Sequence, residues 1–241
     1  MKITEKLAAR QNDLYGSAPV TVAFLGDSVT QGCFECYINE KGGIDTVFDP
    51  ESGYSAKLRH ILQTLYPRAQ INIVNAGISG DSAKGGLERM ERDVLSFLPD
   101  LTVVSFGLND CGGGLERLSK FAERLRSIFD ALQKQGSEVI YLAPCMTNTY
   151  VSSRITDDAL KEIAVQQAKR ENDGVLETYV NEATRVAEAC GVRVCDCYQK
   201  WKRMQACGVD TTSLLANSIN HPKREMHWLI AHALTETIFS E

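Results

Sequence analysis

The fold is decided by the stretch VTVAFLGDSVTQG at residues 20–32. Its first six residues are apolar or β-branched and predict a short buried strand. The polar segment that follows places Ser28 where this strand ends. In open α/β sheets, ligands bind in the crevice outside the carboxyl ends of the strands. The stretch therefore predicts such a sheet and makes Ser28 a candidate nucleophile, although serine and glycine after a strand are also common turn residues.

Strand and helix patterns alternate along the rest of the chain. Alternating βαβ units connect by right-handed crossovers and place helices on both faces of a parallel sheet. The pattern therefore predicts a three-layer α/β/α sandwich around a mostly parallel five-stranded sheet. The short apolar strands are predicted at residues 20–25, 71–74, 101–106, 139–143 and 192–195, and the amphipathic helices at 54–65, 83–97, 115–135, 175–189 and 224–239.

Length and composition predict a single domain over residues 1–241, with neither a linker nor an internal repeat. The formal net charge of −5 disfavours a nucleic-acid partner. No apolar run reaches the roughly 18 residues of a membrane span, so we expect no membrane partner. The first residues lack the apolar stretch of a signal peptide, which predicts a cytoplasmic protein.

Three further polar clusters accompany the predicted strand ends and the last helix. Residues 75–82, NAGISGDS, follow the second strand, and residues 107–110, GLND, follow the third. Residues 220–222, NHP, place an imidazole before the last helix. Three of the four clusters follow predicted strands, and four such clusters in this order are hard to obtain by chance.

Ser28, Gly80, Asn109 and His221 stand in the order that names the SGNH hydrolase superfamily, also called GDSL esterases and lipases, and the chain resembles this family. The resemblance implies a flavodoxin-like α/β fold, with Ser28 as nucleophile and His221 as general base. It also implies an oxyanion hole built from the Ser28 and Gly80 backbone N–H groups and the Asn109 side-chain amide. Such a site hydrolyses an ester through an acyl-serine and needs no cofactor.

One position departs from the family pattern. Most members carry an aspartate three residues before the histidine to orient its ring, and this chain has Ser218 there. We hypothesise a Ser-His dyad in which a backbone carbonyl near Asn217 or Ser218 accepts the Nδ1 proton. The alternative is that Asp210 or another carboxylate takes this role.

Other classes stay open on the sequence alone. The nucleophile elbow of the α/β-hydrolase fold, G-x-S-x-G, is disfavoured because Thr30 occupies the last glycine position. The residue at 218 also leaves room for a binding protein that has lost turnover. An activated serine does not choose its electrophile, so an acyltransferase or a phosphoester hydrolase is a further alternative.

The eight cysteines are interpreted as thiols, because a domain of this size does not need disulfides. Cys33 and Cys36 form one C-x-x-C unit, and a zinc site would want a second unit or added histidines, so no metal is predicted. We hypothesise that Cys33, Cys36 and Cys111 lie near the pocket and make activity sensitive to oxidation.

The remaining assignments concern the substrate and the supporting residues. Segments 32–52 and 144–158 are predicted to be long loops that shape the pocket, and their aromatic, amide and charged residues suit a small polar ester. Since relatives include carbohydrate deacetylases, the favoured substrate is an O-acetylated sugar. We expect Asp27 and Asp110 to support the catalytic loops and Asp196 to cap a turn or helix, and we expect helix packing or surface roles for His60, His227 and His232.

Overall fold

The computed structural model describes residues 1–240. These residues form seven strands: β1 (Val20–Gly26), β2 (Cys33–Ile38), β3 (Ile44–Phe48), β4 (Ile71–Gly77), β5 (Leu101–Ser105), β6 (Glu138–Ala143) and β7 (Arg193–Asp196). The helices are α1 (Lys2–Asn12), α2 (Ser28–Gln31), α3 (Tyr54–Leu65), α4 (Ala83–Asp93), α5 (Leu118–Lys134), α6 (Asp158–Asn172), α7 (Val175–Ala189), α8 (Cys197–Ala206) and α9 (Met226–Phe239).

A five-stranded sheet in the order β4-β1-β5-β6-β7 forms the centre, and every pair in it is parallel. All five predicted strands are present, and the predicted three-layer α/β/α sandwich is confirmed. Strand β1 lies between β4 and β5, with Val22 opposite Ile73 on one side and Leu101 on the other. The carboxyl ends of these three neighbours therefore meet at one edge, which brings the polar segments after them together.

The two faces of the sheet carry separate cores. Along β1, Val22 and Phe24 belong to a core that includes residues of α1, α3 and α9, whereas Ala23 and Leu25 belong to a core that includes residues of α4, α5 and α7. The alternation follows from the two-residue period of a strand, which directs successive side chains to opposite faces. Because both faces are covered, the strand sequence is apolar throughout rather than alternating.

Several elements differ from the sequence prediction. The segment 32–52 is not a plain loop, because β2 and β3 pair within it as an antiparallel hairpin. Helices α1, α6 and α8 were not predicted. Their buried faces are narrow or partly polar: α1 buries only Ile3, Leu7 and Arg10, and α6 buries Gln167 and Glu171 beside two alanines. A helix with so little apolar surface gives a weak periodic signal.

The other boundaries agree closely with the prediction. Helices α3 and α7 begin and end where the apolar spacing predicted, while the predicted helix at 83–97 is α4 followed by a short 3₁₀ turn, Leu95–Phe97. Asp196 caps α8 by accepting a hydrogen bond from Gln199 N at 2.9 Å, as expected of a strand-ending aspartate. Within residues 1–240, no helix is both long enough and apolar enough to cross a bilayer.

Candidate active site

Ser28 is the first residue of the short helix α2, directly beyond β1. Asp27 caps this helix, and its carboxylate accepts a hydrogen bond from Val29 N at 3.0 Å. The turn is tight: a Cβ at Gly26 would collide with the Thr30 side chain and stand 2.9 Å from Ser105 O. The helix ends at Gln31, and the C-cap residue Gly32 has a φ of 93°. The backbone thus fixes the serine at the edge of the sheet.

The Ser28 hydroxyl lies in hydrogen-bond contact with an imidazole from the opposite end of the chain. The distance from Ser28 Oγ to His221 Nε2 is 2.9 Å, and both residues are buried. On the other side of the ring, His221 Nδ1 lies 2.8 Å from the Phe34 carbonyl oxygen. A carbonyl can only accept, so Nδ1 carries the proton and the neutral ring presents the Nε2 lone pair to the serine hydroxyl.

The segment before His221 is a turn held by one amide. Asn217 Oδ1 accepts hydrogen bonds from the backbone N–H groups of Ile219, Asn220 and His221 at 2.9–3.0 Å. Ser218, inside this turn, has a φ of 56°, in the left-handed region that few residues other than glycine adopt. The Asn217 side chain therefore fixes the backbone from which the imidazole projects.

The hypothesis of an uncharged partner for His221 agrees with this geometry, but its expected position was wrong. The acceptor is the carbonyl of Phe34 on β2 and not one near Asn217 or Ser218. The physical reason is that the turn folds its N–H groups onto Asn217, while the unpredicted strand β2 passes beside the ring. Within residues 1–240 no carboxylate accepts from Nδ1; Asp210, the other candidate, accepts instead from the Tyr150 hydroxyl at 2.7 Å.

Burial determines the charge state of His221. Its surroundings exclude water and lower the pKa of the imidazole below the ordinary value of 6.5, although the hydrogen bond to Phe34 O and the nearby Glu35 carboxylate act in the opposite direction. A neutral ring is the form that can take a proton from Ser28. The lowered pKa therefore keeps the His221 ring neutral at neutral pH.

The segments after β4 and β5 converge on the same place. Ile78 N donates to Gly26 O at 3.1 Å, and Ser79 N donates to the Gln31 side chain at 2.7 Å, so the loop carrying Gly80 lies against α2. Asn109 Nδ2 donates to Asp81 O at 2.8 Å. The structure thus brings the Gly80 loop and Asn109 into contact with each other and the loop into contact with the helix of Ser28.

Two backbone donors in this region lack an acceptor. Within residues 1–240, neither Ser28 N nor Gly80 N donates a hydrogen bond to another group. Gly80 has a φ of 78°, and a Cβ built on it would meet no atom within 4 Å, so its surroundings are open. Free donors beside a nucleophile can stabilise a negative oxygen on an acyl carbon.

Asp27 and Asp110 hold the loops next to them, as expected. Asp110 accepts from Gly107 N and from Ala83 N, each at 3.1 Å, and so joins the loop after β5 to the start of α4. Burial raises the pKa of Asp27 to about 7 and that of Asp110 to about 6, with backbone N–H groups opposing the shift in both cases. Both carboxyl groups lie beneath the site and serve its backbone.

Arg89 is a supporting residue that the sequence did not reveal. From α4, its guanidinium donates to Gly26 O and Ala76 O, the carbonyls near the ends of β1 and β4, and pairs with Asp81 at 2.7 Å. The Arg89 side chain is only 10% exposed. One arginine in a polar helix carries no distinguishing sequence pattern, yet this one joins the segment of Ser28 to the loop of Gly80.

We expect Arg89→Met to destabilise the fold by about 3–5 kcal/mol, because it leaves the Asp81 carboxylate and two carbonyls without their partner in a largely buried place. Urea unfolding of the variant and the native protein measures the difference. Arg92→Met is the matched control on the same helix: this arginine also pairs with an aspartate but its side chain is 77% exposed, so its loss should change stability little. Equal effects from both substitutions would contradict the assignment.

All eight cysteines are free thiols. Burial raises the pKa of Cys33 to about 11 and that of Cys111 to about 12, and it raises the pKa of Cys36 as well. Thiols with raised pKa values hold little thiolate, the reactive form, so these surroundings do not favour the hypothesis of oxidation-sensitive activity. Within the described residues, no three His, Cys, Asp or Glu side chains cluster as metal ligands.

The two segments predicted to shape a pocket meet in one cleft of about 430 Å³. Residues 35–38 form one wall and residues 154–157 another, with residues 216–218 of the His221 turn between them. Met146, in the second of these segments, is buried in the core and does not line the cleft. The cleft adjoins the turn that precedes His221 and the strand β2, whose Phe34 carbonyl contacts the His221 ring.

The other histidines pack as expected for helix residues. His227 on α9 is fully buried, and its Nδ1 accepts a hydrogen bond from Tyr54 N at 3.0 Å. Burial lowers the pKa of His227 to about 3, which keeps its ring neutral. His60 and His232 both lie against the Trp228 ring.

A serine and a neutral imidazole in contact at the carboxyl edge of a parallel sheet, beside free N–H donors, are the arrangement expected of SGNH-type proteins. The chain belongs to the GDSL-like lipase/acylhydrolase family, whose profile matches residues 24–229. Among curated proteins, an acetylxylan esterase of Geobacillus stearothermophilus is 34% identical over 87 residues. This match covers 36% of the chain and spans 38% of the relative's length.

Solved structures share the fold over nearly the whole chain. The acetylxylan esterase Axe2 from Geobacillus stearothermophilus superposes with a TM-score of 0.67 at 20% identity, covering 92% of this chain and 95% of that one. A lipase/acylhydrolase from Enterococcus faecalis gives a TM-score of 0.64 at 22% identity, covering 91% and 95%. At these identities the likeness establishes the fold.

Proposed function

We propose that the protein is a serine carboxylic ester hydrolase that removes O-acetyl groups from a carbohydrate. The observation that carries the proposal is the 2.9 Å contact between Ser28 Oγ and His221 Nε2, with the other ring nitrogen fixed by Phe34 O. An acid-base partner at hydrogen-bond distance is what a serine needs to act as a nucleophile at neutral pH. Membership in an acylhydrolase family supports the same chemistry.

In the first half-reaction Ser28 Oγ attacks the acetyl carbon, and its proton passes to His221 Nε2. The carbonyl oxygen becomes negative and accepts hydrogen bonds from Ser28 N, Gly80 N and Asn109 Nδ2. When the tetrahedral intermediate collapses, the bond to the sugar oxygen breaks and that oxygen takes the proton from His221. The products are a free sugar hydroxyl and an acetyl-serine.

The second half-reaction repeats these steps with water. His221 Nε2 takes a proton from the water molecule, whose oxygen attacks the acetyl-serine carbon. The intermediate collapses by breaking the bond to Ser28 Oγ, which recovers its proton from the ring. Acetic acid, which keeps the second proton of the water, leaves and ionises to acetate in solution, and the serine hydroxyl and the neutral imidazole are restored. During both halves the Nδ1 proton stays on the ring, because its acceptor is a carbonyl and cannot be protonated at neutral pH.

The polar character of the cleft supports a carbohydrate rather than a long acyl chain. Glu35, Arg154, Asp157 and Asn217 supply charged and amide groups that suit sugar hydroxyls, and Tyr37, 46% exposed, offers an aromatic face. A lipase would be expected to present a larger apolar surface for its acyl chain. The acetylxylan esterases among the relatives and fold neighbours point to the same class of substrate.

The test is a substrate panel with direct measurement of acetate. The panel contains acetylated xylo-oligosaccharides, other acetylated sugars, and p-nitrophenyl esters from acetate to octanoate. We expect release of acetate from at least one sugar and a rate that falls as the acyl chain lengthens. Rates that rise with chain length would contradict the substrate class. Acetyl transfer to an added sugar without acetate release would indicate an acyltransferase, and no turnover on any ester would indicate a binding protein.

We expect the acid limb of the kcat/KM profile to lie below pH 6.5. His221 must be neutral to accept the serine proton, and burial holds the pKa of its ring below that ordinary value, so activity persists as the pH falls until the ring is protonated. A stopped assay from pH 4 to 9 on p-nitrophenyl acetate measures the limb. A limb well above pH 6.5 would assign the essential titration to another group, with Asp27, whose pKa is about 7, the first to examine.

A further inference from the structure

The carbonyl that contacts His221 Nδ1 belongs to Phe34, whose ring is in contact with two other side chains. Phe34 is fully buried on β2, and the ring of His227 lies 5.0 Å from its ring centroid. The guanidinium carbon of Arg224 lies 4.2 Å from the same centroid. Such a distance between a guanidinium and an aromatic ring is that of a cation-π contact. The Phe34 ring is thus placed by two residues from the segment that follows His221.

Arg224 also binds the hairpin through two carboxylates. Its Nη1 and Nη2 donate to the two oxygens of Glu35 at 2.6 and 3.1 Å, and its Nε donates to Asp49 at 2.8 Å. Paired donors on a carboxylate fix the direction of an arginine as well as its distance. Glu35 follows Phe34 directly, and Asp49 directly follows β3. One side chain, three residues after His221, therefore connects the histidine's segment to both strands of the hairpin.

These contacts lie on either side of one peptide bond. The accepting oxygen, Phe34 O, is part of the peptide that joins Phe34 to Glu35, and Arg224 contacts the ring before it and the carboxylate after it. A peptide unit is planar, so fixing both flanking residues fixes the direction of its carbonyl. We propose that Arg224 is a positioning residue for the catalytic histidine: with Glu35 and Asp49, it aims the Phe34 carbonyl at His221 Nδ1 in place of an orienting aspartate.

The exposure of these ion pairs argues against a purely stabilising role. The side chains of Arg224, Glu35 and Asp49 are 34%, 46% and 32% exposed. Ion pairs with this much solvent contact add little to the free energy of folding. The protein should therefore stay folded when these ion pairs are removed. Their removal should instead change the orientation of the His221 ring. The Glu35 carboxylate also acts on the pKa of His221, which it raises against the stronger lowering by burial.

The proposal rests on the proposed hydrolase function, and its test uses the full-length protein. Arg224→Met keeps an apolar side chain over Phe34 and removes every N–H donor of the guanidinium. Arg224→Lys keeps the positive charge but cannot make the paired hydrogen bonds of a guanidinium to a carboxylate. Arg185→Met is the matched control, because Arg185 makes an equally paired contact with Glu182 on α7, away from the site. Rates on p-nitrophenyl acetate and thermal unfolding are measured for all variants.

We expect Arg224→Met to lower kcat by about 10- to 100-fold, by analogy with the loss of partners that orient metal-bound histidines, with KM changed by less than about 2-fold. Glu35→Gln should lower kcat less, and adding it to Arg224→Met should cost little more, because the two act as one unit. Arg224→Lys should recover part of the rate. The Arg185→Met control should keep the native rate, and all variants should keep the native unfolding midpoint.

A second measurement, by NMR, reports on the hydrogen bond of the His221 ring. The proton on His221 Nδ1, held by Phe34 O and shielded from water, should give a downfield NMR resonance that is absent from His221→Ala. In Arg224→Met this resonance should shift upfield or broaden, whereas Arg185→Met should leave it in place. This measurement needs no substrate, so it tests the positioning role even when no ester is turned over.

The outcomes separate the two proposals. Native kcat together with an unchanged resonance in Arg224→Met would overturn the positioning role and leave the hydrolase intact. A kcat loss matched by a lower unfolding midpoint, with no change in the resonance, would also overturn it, because the effect would then be structural. Equal turnover by Ser28→Ala and the native protein would overturn the hydrolase, and the resonance would then decide the role of Arg224 by itself.

Discussion

Ser28→Ala is expected to reduce ester hydrolysis by about four to six orders of magnitude, to the level that binding and the oxyanion donors alone provide. In the proposed mechanism this hydroxyl forms the covalent bond to the acyl carbon, and within the described residues no other hydroxyl or thiol lies at hydrogen-bond distance from His221 Nε2. Acetate release, or the rate on p-nitrophenyl acetate, measures the loss. Because alanine lacks only the Oγ atom, the fold should be retained.

A serine away from the site provides the control for this substitution. Ser127 lies exposed on α5, where its hydroxyl donates to Glu123 O, so Ser127→Ala should keep the native rate. A serine-directed fluorophosphonate should add its mass to the peptide containing Ser28 in the native protein and to no peptide in Ser28→Ala. Full activity in Ser28→Ala, or labelling at another serine, would contradict the assignment of the nucleophile.

The sequence predicted those features of the protein that follow from the spacing of apolar and polar side chains. The apolar runs at β1, β4 and β5 identified three neighbouring strands, and because parallel strands end at the same edge, the polar clusters after them could be expected together. Ser28 and His221 are 193 residues apart, and periodicity alone could not have paired them. The order of four residue types, shared with a known family, supplied that pairing.

The features that the sequence did not reveal depend on backbone groups, or on residue types that are common on any protein surface. The acceptor for His221 Nδ1 is a peptide carbonyl, which every residue possesses, so nothing at Phe34 distinguishes it. The hairpin of β2 and β3 was taken for a loop because its residues are partly exposed and its register is interrupted between Cys33 and Cys36. Arg89 and Arg224 read as ordinary charged residues until their partners from distant segments are seen.

Asn109→Ala is expected to lower kcat by about a hundred- to a thousandfold with a small change in KM, because it removes one donor to the oxyanion. An amide nitrogen carries two hydrogens, and one of them is engaged by Asp81 O at 2.8 Å. That bond sets the direction of the amide and leaves the second hydrogen for an oxygen that becomes negative only during the reaction. A donor used mainly at that moment affects kcat rather than substrate binding.

The hydrogen bond from Asn109 to Asp81 O also connects Asn109 to the Gly80 loop. The experiment must therefore distinguish the loss of an oxyanion donor from a displacement of this loop. Asn109→Asp keeps the size of the side chain but replaces the donor with a carboxylate, which would repel a developing negative charge; it should be slower still than Asn109→Ala. Asn72→Ala is the control, since this exposed amide on β4 donates only to Thr21 Oγ1, at 3.3 Å. If Asn109→Asp were as active as the native protein, the amide would have no part in stabilising the oxyanion, and the two backbone N–H groups would form the hole without it.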